Sequence, residues 1–198
     1  MAAAQLGYRA HVYAPEADSI AADVCAGFTC AGWHDAEALA AFAAQCAVVT
    51  YEFENVPVAA LSVFSGGQLA PGTQALEVAQ DRLNEKEFVE SLGGRTAPYM
   101  AVDTREDLDE ALVRIGSPGI LKTRREGYDG KGQWRIMSPA DAEGLDLPDV
   151  PLVYEGFVRF DAEFSVILAR GTDGDVRFWD SAQNAHKAGI LSQSVVPA

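Results

Sequence analysis

The chain has 198 residues, 48% of them hydrophobic and 22% charged, with a formal net charge of −14. That composition can bury one large or two small globular cores and excludes fibrous and disordered classes, while the acidity argues against a polynucleotide-binding surface, which needs a broad basic face. No run approaches the roughly 18 apolar residues of a membrane span, and Met1 to Gly7 lacks a basic leader region, so a cytoplasmic protein with no membrane partner is expected.

Taken in order, Ala2 to Leu6 reads as a helix closed by Gly7, followed by strands at Arg9 to Tyr13 and Phe28 to Cys30. Asp35 to Gln45 has the alanine-rich apolar face of a helix, and Ala47 to Tyr51 looks like a buried strand. This rhythm is that of a doubly wound α/β domain with a parallel sheet. The chain opens inside a helix, without the strand and glycine-rich first turn that normally start such a domain, so the N-terminus is expected to be cut.

Cys25, Cys30 and Cys46 are odd in number and form no Cys-x-x-Cys pair, which fits a reducing compartment. Small buried residues on strands are the expectation for them, ahead of a zinc site with His34, and His11 is read as a structural histidine. In Tyr51 to Pro57, Glu54 and Asn55 would follow a strand, where open α/β folds bind ligands; equally, Asn55 and Pro57 could cap the next helix. Asp81 to Leu92 reads as a helix with Arg82 and Lys86 on one face, a pairing that suits an anion or a solvated surface.

From Pro98 the pattern becomes strand, helix (Arg105 to Ile115), strand (Ile120 to Thr123), glycine loop, strand (Gln133 to Met137) and short helix (Pro139 to Leu145). Strands at Leu152 to Phe157, Glu163 to Arg170 and Val176 to Trp179 follow, an α+β arrangement with antiparallel pairs. Within it, Lys122, Arg124, Arg125, Lys131 and Arg135 cluster against the global charge, around Gly127, Tyr128, Asp129, Gly130, Lys131, Gly132 and Gln133. Glycines that let backbone N–H groups approach an anion, beside a strand lysine, describe a phosphate cradle; the same Asp-Gly could serve an ordinary hairpin without a ligand. Downstream, Glu155, Gly156, Phe157 and Val158 end a strand, and Glu163 opens the next apolar run.

Strand lysine, glycine-rich loop, Glu-bearing hinge and second Glu, in that order, resemble the ATP-grasp superfamily of carboxylate-amine and related ligases. Tyr51 to Pro57, Asp81-Arg82 with Lys86, the glycine loop, and Asn184-x-His186-x-x-Gly189-Ile190-Leu191 are similar to the 5-(carboxyamino)imidazole ribonucleotide synthase family of purine synthesis. The resemblance implies an incomplete pre-ATP-grasp domain over residues 1–78 and a partial ATP-grasp domain over 79–198, its lid at about 98–160. It further implies that Arg82 and Lys122 contact ATP phosphates, Gly127 to Gln133 close over them, Glu155 to Val158 hold adenine, Glu163 binds the ribose and His186 lies beside the nucleotide. Asp129, with Glu54 and Asn55, would face the aminoimidazole substrate.

The implied reaction is carboxylation of the exocyclic amine of 5-aminoimidazole ribonucleotide by bicarbonate through carboxyphosphate, with ATP and Mg2+, in a homodimer at full length. Positioning and charge neutralisation would carry that chemistry. Against the family pattern, the first strand with its glycine-rich loop and the magnesium-binding acidic residues have no counterpart in the sequence, and Gln183 and Ser192 replace a usual Glu and a frequent Arg. The chain alone is therefore expected to lack the full activity. Two alternatives stand beside this reading: another ATP-grasp ligase of purine synthesis, such as the formate-using glycinamide ribonucleotide transformylase, and a non-catalytic nucleotide-binding module.

Overall fold

Capping residues and strand alternation set the elements of the chain. The computed structural model describes residues 1–127, 130–187 and 190–198, and the chain divides into two units, Met1–Phe88 and Val89–Ala198.

In the first unit, helix α1 (Ala2–Gln5) runs out at Gly7, which adopts φ +82°, a left-handed value that glycine takes without penalty. Strands β1 (His11–Ala14) and β2 (Gly27–Cys30) pair in parallel, His11 against Gly27 through Ala14 against Cys30. Helix α2 (Ala36–Ala43) starts at Asp35, whose carboxylate accepts the Ala38 N–H at 2.9 Å. Helix α3 (Thr73–Ala79) packs Leu76 on Val56 and Leu61, with Trp33 and Tyr51 at the edge of that cluster. Helix α4 (Arg82–Ser91) follows at once and crosses the boundary between the units.

Two expectations are corrected in this unit. Ala47 to Tyr51 forms no strand: Val49 makes a single parallel bridge to Leu69, and Val48 is 64% exposed. An apolar run is not a strand unless a partner meets it along its length, and only Val49 meets one. The cysteines are not buried on strands either, since Cys25 and Cys46 are half-buried outside strands and Cys30 is exposed at the end of β2. His11 is structural as read, its Nε2 lying 2.9 Å from Thr29 Oγ1 and its ring edge-on to Phe42.

The second unit is built on an antiparallel four-stranded sheet in the order β3 (Tyr99–Val102), β6 (Leu152–Gly156), β4 (Gly119–Thr123), β5 (Gln133–Ile136). Its connections include α5 (Arg105–Arg114) and α6 (Ala140–Glu143). Met100, Val102, Leu121, Trp134, Ile136, Leu152 and Tyr154 pack with Leu108 and Ala111 of α5 and Ala142 of α6 in one core. The predicted strand Glu163 to Arg170 is broken in two: β7 (Glu163–Ser165) joins β10 (Ala182–Lys187) and β11 (Ile190–Val195), whereas β8 (Leu168–Arg170) pairs with β9 (Val176–Phe178).

Helix α5 is held at its start by a capping box. Thr104 Oγ1 accepts the Asp107 N–H, and the Asp107 carboxylate accepts the N–H groups of Asp103 and Thr104 and the Thr104 hydroxyl. These bonds, that from the Asp103 N–H foremost, hold the Asp107 carboxyl below its ordinary value of 3.8. Because the folded value is the lower one, the stabilisation is complete above the ordinary aspartate range and is lost as the pH falls through the depressed folded value. Thr104→Ala is expected to cost about 1 kcal/mol, seen as a lower urea midpoint at unchanged slope; an unmoved midpoint would mean that the helix does not depend on its cap.

Candidate nucleotide-binding site

Strand register assembles the first half of the site. In β4 and β6, Leu121 lies opposite Tyr154 on the core face, so the alternate pairs Ile120 opposite Glu155 and Lys122 opposite Val153 belong to the other face. Tyr99 of β3 lies opposite Glu155, and Gln133 of β5 opposite Lys122, on that same second face. One face is therefore a hydrophobic core, and the other carries Lys122, Gln133 and Glu155 side by side.

Lys122 Nζ donates to Glu155 Oε2 at 2.9 Å. Glu155 is 8% exposed, and the ammonium set against its carboxylate helps to offset the cost of burying it. The lysine side chain keeps about a quarter of its surface open (24%) and retains donors for an incoming anion. Beyond Glu155, the N–H of Gly156 is spent on Pro98 O and that of Phe157 on Pro118 O, which fixes the path of the chain where it leaves the strand; Phe157 and Val158 are exposed.

The basic loop joins β4 to β5 and is therefore part of a hairpin, as one reading held, but a longer one than a two-residue Asp-Gly turn. Lys122 still faces Gln133, and the Thr123 N–H donates to Gly132 O at 2.8 Å. Gly130 and Gly132 take φ +77° and +63°, and a Cβ on Gly132 would stand 2.7 Å from Thr123 Oγ1. Glu126, not a glycine, is also left-handed at φ +64°, a conformation that costs a non-glycine residue energy. Gly127 and Lys131 belong to the same loop, whereas Tyr128 and Asp129, two of the predicted lid residues, lie outside the described residues.

A second pair comes from β7 and β10. Glu163 lies opposite Asn184, the register shifts between Ala185 and His186, and His186 Nδ1 comes to 3.3 Å from Glu163 Oε1. Both side chains are partly exposed, a carboxylate and an imidazole presented together. Asn184 donates to Ser165 Oγ at 2.6 Å and accepts from Ser194 Oγ at 2.9 Å, which ties the three strands around that pair. Gly189 of the same motif lies outside the described residues.

Arg82 stands at the start of α4 in the first unit, and Glu54 and Asn55 form a turn there rather than a strand end. Asn55 does not cap the helical turn Val58–Val63, which starts from Pro57 without a side-chain cap. What holds that turn was missed at the sequence level: Gln80 Nε2 donates to Glu54 O and to Val56 O, both at 2.7 Å, and Tyr51 OH donates to Gly72 O at 3.0 Å. A polar residue at a helix end carries no periodic signal, and only its burial, 7% exposed, marks it.

A sheet with one face packed on helices and a lysine–glutamate pair on the other, entered through a glycine-rich hairpin, defines a class. The model of the ATP-grasp domain matches residues 87–198, and the chain belongs to that family; the ribonucleotide synthetase preATP-grasp domain matches residues 1–80. Among its relatives, the N5-carboxyaminoimidazole ribonucleotide synthase of Brucella melitensis is 45% identical over the whole chain, which covers 56% of that protein. The crystal structure of N5-carboxyaminoimidazole ribonucleotide synthetase from Thermus thermophilus is 42% identical with a TM-score of 0.89, all of this chain matching 54% of that one. The Aspergillus clavatus synthase in complex with ADP and 5-aminoimidazole ribonucleotide is 27% identical with a TM-score of 0.80, 96% of this chain matching 50% of that one. The chain thus spans about half the length of the relatives it matches.

Proposed function

We propose that the chain carries the nucleotide-binding part of an ATP-dependent carbon–nitrogen ligase, one that carboxylates 5-aminoimidazole ribonucleotide with bicarbonate in de novo purine biosynthesis. The observation that carries this reading is the placement of Lys122, Gln133 and Glu155 together on the face of the sheet opposite the helix-packed core, at the mouth of the glycine hairpin. Similarity to synthases of this name along the whole chain supports the choice of substrates. The full-length enzyme is a cytoplasmic homodimer in this proposal, and no helix among the described residues is long and apolar enough to cross a membrane.

In this reading Lys122 neutralises phosphate oxygens, and the hairpin between β4 and β5 closes over them. Gly130 and Gly132 lend that loop the backbone freedom that wrapping an anion requires. Glu155 to Val158 receive the base, Glu163 accepts from ribose hydroxyls, and His186, held by Glu163, borders the nucleotide. Glu54 and Asn55 serve the aminoimidazole. Phosphoryl transfer of this class would also draw on magnesium, which would supply charge neutralisation at the phosphates. Among the described residues no three His, Cys, Asp or Glu side chains lie together, so they do not fit a metal site and no step is assigned to one.

The test is ATP hydrolysis by this chain and by a polypeptide extended to the relatives' length. Hydrolysis by the extended form is expected to require both bicarbonate and 5-aminoimidazole ribonucleotide. Turnover indifferent to either would sink the proposal, and turnover with formate and glycinamide ribonucleotide instead would assign the chain to the formate-using ligase.

A further inference from the structure

The first unit contains a buried polar device that the roles above leave unused. Helix α3 braces the segment 51–56 at both of its ends. Gly72, which precedes the helix, accepts the Tyr51 hydroxyl through its carbonyl, and Gln80, which closes the helix, reaches back with its carboxamide to Glu54 O and Val56 O. The two carbonyls straddle Asn55, so one amide group spans the turn that presents Glu54 and Asn55. Beneath it, Val56, Leu61 and Leu76 are packed to 5% exposure or less, which leaves the turn a firm floor.

Only a group with two donors on one nitrogen can satisfy both carbonyls from one position, and a glutamine amide is such a group. Its cost of burial is offset only while both bonds are made. Gln80 also immediately precedes Asp81, whose carboxylate accepts the Leu83 N–H at 3.0 Å where α4 begins. The residue that ties the turn is thus continuous with the start of the helix that carries Arg82.

We propose that Gln80 is a positioning residue that holds the Glu54–Asn55 turn in the geometry that receives the aminoimidazole substrate. The proposal rests on the function argued above. Gln80→Glu keeps the size of the side chain and replaces both donors with acceptors that face two carbonyls. It is expected to weaken binding of 5-aminoimidazole ribonucleotide about 10-fold or more, since small misplacements of a binding group carry penalties of that order, while ATP affinity changes by less than about two-fold.

Gln80→Met, which removes the donors without adding charge, guards against simple misfolding of the acidic variant and is expected to show the same split. Gln68 supplies the control. It makes the same two-carbonyl clamp, on Ala43 O at 2.7 Å and Cys46 O at 2.6 Å, away from the Glu54–Asn55 turn. Gln68→Met should lower thermal stability and leave both affinities alone. Calorimetric titration of the chain with each nucleotide reads the outcome. If both Gln80 variants bind 5-aminoimidazole ribonucleotide as the parent does, or lose it and ATP equally, the positioning role is wrong. A parent chain that binds neither ligand overturns the proposed function and this inference with it.

Discussion

Lys122→Ala should lose ATP affinity by about 30-fold, equivalent to roughly 2 kcal/mol, the low end of what truncating one partner of a desolvated charged pair costs. Two effects act together. The ammonium no longer meets the phosphate, and Glu155, 8% exposed, loses the charged group 2.9 Å from its carboxylate. The second effect acts on folding as well as binding, so the single variant is ambiguous taken alone. The double variant Lys122→Met with Glu155→Gln separates them, because it removes both charges and leaves an uncharged pair of similar volume. It should recover most of the thermal stability lost in Lys122→Ala and none of the ATP affinity. If the double variant, or Lys122→Ala itself, binds ATP as tightly as the parent in a calorimetric titration, Lys122 does not serve the phosphate.

Gly119→Ala is expected to destabilise the second unit by about 3 kcal/mol, at the upper end of the usual cost of overpacking. A Cβ at Gly119 would overlap the Tyr154 phenol and stand 2.7 Å from the Glu155 carbonyl oxygen. Neither neighbour gives way cheaply. The Tyr154 hydroxyl donates to Gly116 O at 2.8 Å, its ring is fully buried, and burial also pushes its pKa above the ordinary tyrosine value. Glu155 is main chain of β6, which is paired on both sides. A shift there moves the carboxylate that holds Lys122, so weaker ATP binding should accompany the lower urea midpoint. A variant with parental stability would show that the sheet is more pliant than its packing implies.

The legible parts of the chain are those where local chemistry and periodicity agree. Asp35 and Thr104 start helices because a short oxygen-bearing side chain can satisfy an exposed N–H, and both do so in the structure. The four strands β3 to β6 and strand β9 were readable in the sequence, and the glycine hairpin from its composition, whereas β10 and β11 were not read as strands. Ala47 to Tyr51 misled because hydrophobicity reports a preference for burial and not the presence of a pairing strand; Val48 has neither. Glu163 to Arg170 misled in the opposite way, since one extended run was divided between two sheets whose partners, β10 and β9, lie later in the chain.

The order of lysine, glycine loop and two glutamates is a property of the sequence alone, and it sufficed to identify the family, because motif order survives wherever the chemistry needs those groups in turn. Tertiary structure decided which groups touch. That Lys122 pairs with Glu155 follows from a register in which Leu121 meets Tyr154, and a slip of one residue would have sent the lysine into the core. That His186 meets Glu163 depends on an irregularity between Ala185 and His186. Gln80 has no motif at all. Its role is written in two carbonyls 26 and 24 positions away, and such long-range hydrogen bonds exist only once the chain has closed upon itself.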